Sequence, residues 1–205
     1  MNDTGDKLDG LDWVADPDEV RQKIIDAASA LYAKKGFSAT TLQEISEKAG
    51  VARTVTRHYV KTKSEIMRMI MEDVLTSFQE NLIEITKDID DPDEKLAAAF
   101  DIYLRVVDRQ RDKALIVYQA SKSLDKASKT RVMQLELDVA NIFATIITEG
   151  IEQGMFKKVD VDLTAYNIMM LAHMWVLKRW HFKSRLDLRQ YIELQLEIIR
   201  DILKK

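Results

Sequence analysis

The chain has 205 residues and a net charge of −3, with six glycines, two prolines and no cysteine. The absence of cysteine excludes a disulfide framework, a thiolate metal site and a cysteine nucleophile. The scarcity of Gly and Pro beside abundant Ala, Leu, Ile, Lys and Glu predicts an all-α fold. No apolar run reaches the roughly 18 residues that a membrane span needs, so we expect a soluble, cytoplasmic protein without a membrane partner.

The positive charge is concentrated in one part of the chain. Residues 1–16 carry five Asp and one Lys, whereas residues 17–66 carry nine basic and six acidic side chains. Residues 67–205 carry 21 basic and 23 acidic side chains. Any surface that binds a polyanion is therefore expected within residues 17–66.

The first helix is predicted to follow a flexible arm. Residues 1–15 are rich in Asp and Gly and lack helical periodicity, so they predict a mobile segment. Asp16, Pro17 and Glu19 form a helix start, because proline suits the first helical position and acidic side chains suit the positive end of the helix dipole. The helix is predicted to run to Lys35 and to pack through an apolar stripe of Val20, Ile24, Ala27, Ala28 and Leu31.

Two short helices about a glycine are predicted next. Thr41 and Glu44 have the spacing of a capping box, which places a helix start at Thr41. Gly50 can adopt the positive φ angle of a helix exit, and a second helix is predicted over residues 52–59. That helix carries Arg53 and Arg57, and no acidic residue occurs between positions 51 and 63. This pattern is typical of a helix-turn-helix that enters the major groove of DNA.

A second interpretation of the same segment stays open at this point. Short helical hairpins with a basic face also occur in helical bundles, where the charged face is simply solvated. The alternative function is then a helical protein-interaction or adaptor module without sequence-specific DNA binding.

The rest of the chain predicts a second, larger helical domain. Ser64 is expected to cap a long helix, and later helical patterns raise the total to about nine helices. The predicted domains are residues 16–62 and residues 63–205. Residues 155–182 are apolar on more than one face, and the last helix adds another apolar stripe, so both predict a subunit interface that includes Trp175, Leu194 and Ile199.

Catalytic and metal-binding motifs are not evident in the sequence. It contains no glycine-rich phosphate loop, Gly-x-Ser-x-Gly elbow or His-Glu-x-x-His motif, so we expect neither an enzyme nor a cofactor. His173 and His181 are eight residues apart, whereas a helical metal site needs a spacing of three or four and a third ligand. Hydrogen-bonded structural histidines are therefore favoured over a metal site.

Residues 41–66 resemble the N-terminal signature of the TetR/AcrR family of bacterial transcriptional regulators. Three positions differ from the family pattern, namely Thr54 where Gly is common, Arg57 where Tyr is usual and Val60 where Phe is most frequent. These differences bear on which bases are read and leave the implied fold unchanged. The matching positions are Thr41, Ile45, Ala49, Gly50, Val51, His58, Tyr59, Lys63 and Ile66.

The resemblance implies roles for residues of both domains. The candidates for reading base edges are Gln43, Arg53, Thr54 and Arg57. The candidates for phosphate contacts are Thr41, His58, Tyr59 and Lys63. The candidates for an apolar ligand pocket are Phe78, Phe100, Tyr103, Tyr118 and Phe143.

The implied function is that of a repressor that binds a palindromic operator as a homodimer. A small apolar or amphipathic effector would release it from DNA. The cluster of Trp175, Lys178, Arg179 and Trp180 resembles the end of regulators that answer to fatty acyl thioesters, which makes such a thioester the candidate effector.

Overall fold

A computed structural model describes residues 16–120 and 124–205, and the predicted arm at residues 1–15 lies outside the described residues. The described part contains ten helices and no strand beyond an isolated bridge between Phe156 and Lys204. The prediction of an all-α fold is therefore confirmed. None of these helices combines the length and hydrophobicity of a membrane span. The chain divides into two compact units between Ile66 and Met67, four residues beyond the predicted boundary.

The first unit contains three complete helices and the start of a fourth. Helix α1 begins after Asp16, whose carboxylate accepts a hydrogen bond from the backbone N–H of Asp18 at 3.0 Å. It ends at Gly36, which has a φ of 84°. The apolar side chains of Ile24, Ile25 and Ile45 are fully buried, so α1 and α2 share one small core. The helices are α1 (Pro17–Lys35), α2 (Leu42–Ala49), α3 (Arg53–Tyr59) and the first turn of α4 (Lys63–Thr86).

The cap of helix α4 lies two residues earlier than the sequence predicted. The backbone N–H of Glu65 donates to the hydroxyl of Thr62 at 3.1 Å, so Thr62 caps the helix and Ser64 lies inside it. Both threonine and serine side chains can cap a helix, so residue type alone does not distinguish Thr62 from Ser64 as the cap. This observation corrects the predicted cap.

The second unit contains the remaining helices. One more helix is present than the sequence predicted, because the last long apolar segment is interrupted at Lys178, which has φ −117° and ψ 26°. The helices are α5 (Pro92–Arg109), α6 (Arg111–Ala120), α7 (Lys126–Glu152), α8 (Val161–Leu177), the short α9 (Arg179–Phe182) and α10 (Leu188–Leu203).

Aromatic side chains form the centre of the second unit. The Tyr103 ring meets Phe78 edge-on at a centroid distance of 5.0 Å and Phe143 at 5.5 Å. Phe100 and Phe143 are completely buried, and Tyr103 is 1% exposed. Helices α4, α5 and α7 are thereby joined in one core.

Trp175 belongs to the core of its own protomer. Its ring lies 5.0 Å from that of Tyr191, and its indole N–H donates to Asp108 at 2.8 Å. Arg179 also donates to Asp108. Trp175 and Ile199 are 2% and 1% exposed, so neither is available to a second protomer. This burial corrects two of the three predicted interface residues.

An exposed apolar face remains on the two helices that were expected to form a subunit interface. Leu194 is 46% exposed, and it is joined by Ile198 and Ile202 at intervals of four residues, which places the three side chains on one side of α10. Leu163 and Met170 are exposed on α8. We call these five residues the α8–α10 face.

Candidate functional site

The start of α2 has the capping box that the sequence predicted. The Thr41 hydroxyl accepts from the Glu44 backbone N–H at 3.2 Å, and the Glu44 carboxylate accepts from the Thr41 backbone N–H at 2.9 Å. Lys35 donates to the same carboxylate at 2.5 Å, and this bond together with those from Thr41 lowers the pKa of Glu44 to about 2. Thr41 is exposed, and its predicted phosphate contact stays a prediction.

The turn between α2 and α3 also follows the prediction. Gly50 has a φ of 66°, a left-handed conformation that glycine adopts without steric cost. Val51 is buried, and its backbone N–H donates to the Ser46 carbonyl at 3.1 Å. The conformation of Gly50 and the burial of Val51 therefore fix the turn. Helix α3 begins at Arg53.

Helix α3 presents a row of exposed polar side chains. Arg53, Thr54 and Arg57 are exposed, and within the described ranges their side chains make no hydrogen bond or ion pair. His58 is also exposed, and its ring meets the half-buried ring of Tyr59 edge-on at 5.7 Å. We call the exposed residues Arg53, Thr54, Arg57 and His58 the α3 face. Their guanidinium and hydroxyl groups remain available to an external partner.

Two predicted contact residues already have partners in the structure. The Gln43 amide donates to Glu47 at 2.9 Å, so it must exchange that partner to reach a base. The Lys63 ammonium donates to the carbonyls of Phe37 and Ser38 at 2.9 and 3.1 Å and lies 4.9 Å from the Phe37 ring centroid. Lys63 therefore holds the loop between α1 and α2, a role that sequence reasoning missed. Its phosphate contact stays a prediction.

A cavity of about 300 Å³ lies in the second unit, among helices α4, α6, α7 and α8. Phe78 and Tyr118 line it, as predicted from the resemblance. Phe100, Tyr103 and Phe143 do not line it, which corrects the predicted pocket, because these side chains pack behind it in the core. Among the described residues the lining consists of Met71, Val74, Leu75, Phe78, Ala114, Val117, Tyr118, Leu124, Lys129, Val132, Met133, Glu136, Met169 and His173.

The polar part of the cavity was largely missed by sequence reasoning. His173 was interpreted as a hydrogen-bonded structural residue, and Lys129 and Glu136 were not singled out. Positions 129, 132, 133 and 136 have the spacing of a single helical face, but many helices show this periodicity, and it does not indicate what the face contacts.

A hydrogen-bonded chain runs from the core into the cavity. The Tyr103 hydroxyl lies 2.7 Å from Nε2 of His173, and the Tyr118 hydroxyl is hydrogen bonded to Nδ1 of the same ring. Burial lowers the pKa of His173 to about 4, so its imidazole is neutral at pH 7. Burial also raises the pKa of Tyr118 to about 12 and raises the pKa of Glu136. The cavity thus combines apolar walls with a cluster of polar groups.

Two short helices about a glycine turn, with an exposed basic face on the second, define a helix-turn-helix protein. Residues 24–69 match the family model described as bacterial regulatory proteins of the tetR family. Residues 89–184 match the model of a tetracyclin repressor-like C-terminal domain. The chain belongs to the TetR family of bacterial transcriptional regulators.

Individual relatives agree with this assignment. The HTH-type transcriptional regulator HbdR of Aromatoleum sp. (strain CIB) is 30% identical over 183 residues, which cover 88% of this chain and 80% of HbdR. The HTH-type transcriptional repressor KstR2 of Mycolicibacterium smegmatis is 23% identical over 172 residues, or 83% of each chain. The solved structure of the regulator FadR from Bacillus subtilis, in complex with stearoyl-CoA, has a TM-score of 0.72 at 22% identity, covering 89% of this chain and 97% of FadR.

Proposed function

We propose that the protein is a repressor that binds a palindromic operator as a homodimer and releases it when a small apolar or amphipathic effector occupies the cavity. The observation that carries the proposal is the exposed α3 face, whose Arg53, Thr54 and Arg57 have no side-chain partner in the described residues. Unpaired guanidinium groups on a solvent-exposed face can bind DNA without first breaking an ion pair of the protein.

The α3 face has the chemistry required for reading the major groove. An arginine fork bonds O6 and N7 of guanine, and a threonine can bond a base edge or contact a thymine methyl. Arg53, Thr54 and Arg57 are therefore the proposed base readers, with Gln43 from α2. Thr41, His58, Tyr59 and Lys63 are the proposed phosphate contacts, which would position the helix without specifying sequence.

The α8–α10 face supports the homodimer. Five exposed apolar side chains on two neighbouring helices, including Leu194 of the predicted interface, would lose water contact against a second copy. A two-fold dimer carries two identical DNA-binding units, and two identical half-sites in an operator match that symmetry.

The cavity supports the effector class. Its walls are mainly aliphatic, aromatic and methionine side chains, which suit an apolar ligand. A fatty acyl thioester is the candidate effector because the structurally similar FadR was solved with stearoyl-CoA. The cavity volume is at the lower end of the range of about 300 to 1,000 Å³ for small-molecule sites, which favours a compact acyl group.

Release requires that the effector bind the DNA-free state more tightly than the DNA-bound state, and a coupling of about 1 to 3 kcal/mol is typical. Helix α4 carries Lys63 in its first turn and four of the residues that line the cavity. We propose that this helix transmits the effect of the ligand to the DNA-binding unit.

The test is fluorescence anisotropy with labelled DNA from upstream of the protein's own gene, compared with a scrambled duplex of equal composition at several salt concentrations. The proposal expects tighter binding to the upstream duplex at every salt concentration, because base contacts add to the salt-dependent phosphate term. Equal affinity for both duplexes would reject sequence-specific regulation and favour the adaptor function.

A further inference from the structure

The hydrogen-bonded chain of Tyr103, His173 and Tyr118 has a direction. Tyr103 is 1% exposed, and within the described residues His173 Nε2 is its hydroxyl's hydrogen-bond partner. A buried O–H group without an acceptor is costly in free energy, so the Tyr103 hydroxyl donates a hydrogen bond to Nε2. Nε2 must then be unprotonated, because a ring nitrogen that accepts a hydrogen bond carries no hydrogen.

The direction of the chain determines what Tyr118 offers to a ligand. A neutral imidazole with an unprotonated Nε2 carries its hydrogen on Nδ1, and that N–H donates to the Tyr118 oxygen. The O–H of Tyr118 is thereby left to donate elsewhere. Its acceptor in the described residues is Met170 Sδ at 3.9 Å, and a thioether sulfur is a weak acceptor. Because Tyr118 lines the cavity, its hydroxyl is a hydrogen-bond donor available to a ligand.

Glu136 offers the complementary group. Its carboxyl lines the cavity, is half-buried and has no hydrogen-bond or ion-pair partner within residues 16–120 and 124–205. It lies close enough to Tyr118 for its charge to contribute to the raised pKa of that tyrosine. The Tyr118 donor and the Glu136 acceptor therefore belong to one polar cluster.

The charges of the described lining are few. Helix α4 contributes no titratable side chain, α6 contributes Tyr118, α8 contributes His173, and α7 contributes Glu136 and Lys129. Lys129 is exposed and lies two turns before Glu136, so solvent screens its charge. A ligand carboxylate at the polar cluster would meet the Glu136 carboxylate without a buried cation to offset the repulsion.

We propose that the cavity selects a ligand with an apolar body and an uncharged polar group that accepts from the Tyr118 hydroxyl and donates to Glu136, such as a hydroxyl or primary amide, and that it disfavours a free carboxylate there. The inference rests on the proposed function, in which this cavity is the effector site. A thioester carbonyl meets the first requirement, and a hydroxyl or N–H group on the same ligand meets the second.

The test is isothermal titration calorimetry of the full chain at pH 7.5 without DNA. It measures the affinities for octanamide and octanoate, which serve as matched probes. Octanamide is expected to bind at least about tenfold more tightly, the effect of one pKa unit of charge interaction. Glu136→Gln is expected to raise octanoate affinity by about tenfold. Tyr118→Phe is expected to lower octanamide affinity roughly three- to tenfold, the value of one hydrogen bond.

Matched control variants separate these effects from general ones. Glu152→Gln changes an exposed glutamate of α7 outside the lining, and Tyr32→Phe changes a buried tyrosine of α1 in the first unit. Both are expected to leave the affinities for the two probes unchanged. Any apolar cavity disfavours octanoate to some degree. The decisive measurement is therefore whether Glu136→Gln changes the ratio of the octanamide affinity to the octanoate affinity.

The inference is overturned if octanoate binds as tightly as octanamide, if octanamide does not bind, or if Glu136→Gln leaves the ratio of affinities unchanged. These titrations contain no DNA. A protein that discriminates between the probes as expected but shows no preference for its upstream duplex would therefore reject the proposed function and leave the ligand preference intact.

Discussion

Tyr103 and His173 are 70 residues apart in the sequence, and the tyrosine hydroxyl lies 2.7 Å from Nε2 of the histidine. The two rings are also stacked, with a centroid distance of 5.7 Å. A buried core tyrosine thus determines which nitrogen of a cavity histidine carries the proton. The core packing of the second unit thereby sets the tautomer of a histidine that lines the cavity. In the folded protein this histidine is neutral at pH 7.

Folding stability is expected to fall in mild acid because of His173. Its folded pKa of about 4 is below the ordinary value of 6.5, so between these values the unfolded chain binds the proton more readily. The contribution of His173 is complete above pH 6.5 and is lost as the pH falls toward 4. From pH 7 to pH 5 the loss is about 2 kcal/mol. Chemical denaturation at pH 7 and at pH 5 measures this loss. Between the two pH values, the free energy of unfolding should fall by about 2 kcal/mol less in His173→Gln than in the wild-type protein.

His181→Gln is the control for this measurement, because His181 is exposed on the short helix α9. This variant should keep the pH dependence of the wild-type protein. An identical loss of stability in His173→Gln and wild type would contradict the neutral, buried state of His173.

Removing the first arginine of α3 should relax base preference. Arg53→Ala is expected to cost about 1 to 3 kcal/mol of binding to the preferred upstream sequence, while binding to scrambled DNA changes little, because a base contact is lost. Arg185→Ala removes an exposed arginine of the second unit and should change neither affinity. Equal loss on both duplexes would instead make Arg53 a phosphate contact.

Replacing Lys63 should destabilise the first unit. Lys63→Met retains the aliphatic stem but removes the hydrogen bonds to the carbonyls of Phe37 and Ser38. Hydrogen bonds to charged groups contribute about 1.5 to 3 kcal/mol, so a loss of about that size in the free energy of unfolding is expected. Lys61→Met, at an exposed position nearby, should have little effect. A variant as stable as wild type would show that these bonds contribute nothing net.

A charge on the α8–α10 face should disrupt the dimer. Ile198 is 47% exposed on α10, and Ile198→Glu would place a carboxylate in the proposed interface. Sedimentation velocity is expected to give a dimer for wild type and a monomer for the variant. Ile83→Glu alters an equally exposed isoleucine, 52% accessible on α4, and should remain dimeric. A monomeric wild-type protein would reject the proposed homodimer, and two dimeric variants would place the interface elsewhere.

The local features of the helix-turn-helix could be predicted from the sequence because they depend on neighbouring residues. The Thr41–Glu44 capping box and the left-handed Gly50 are both confirmed. Each reflects a preference that acts over three or four residues and needs no tertiary contact. The resemblance to the TetR/AcrR family extended the prediction to the second domain. Membership in the TetR family is confirmed. The roles of individual α3 side chains toward DNA stay predictions.

Only the tertiary structure decided which large side chains reach the cavity and which fill the core. Phe78 and Phe143 are equally apolar residues on amphipathic helices, yet one lines the cavity and the other packs behind it. Trp175 was expected at a subunit interface but meets Tyr191 and Asp108 inside the protomer. Helical periodicity determines which side of a helix is apolar, whereas the partner that covers it depends on distant segments. The sequence by itself therefore determined most of the helices, the Thr41–Glu44 capping box and the family, and the packing of α4 to α8 decided which residues line the cavity.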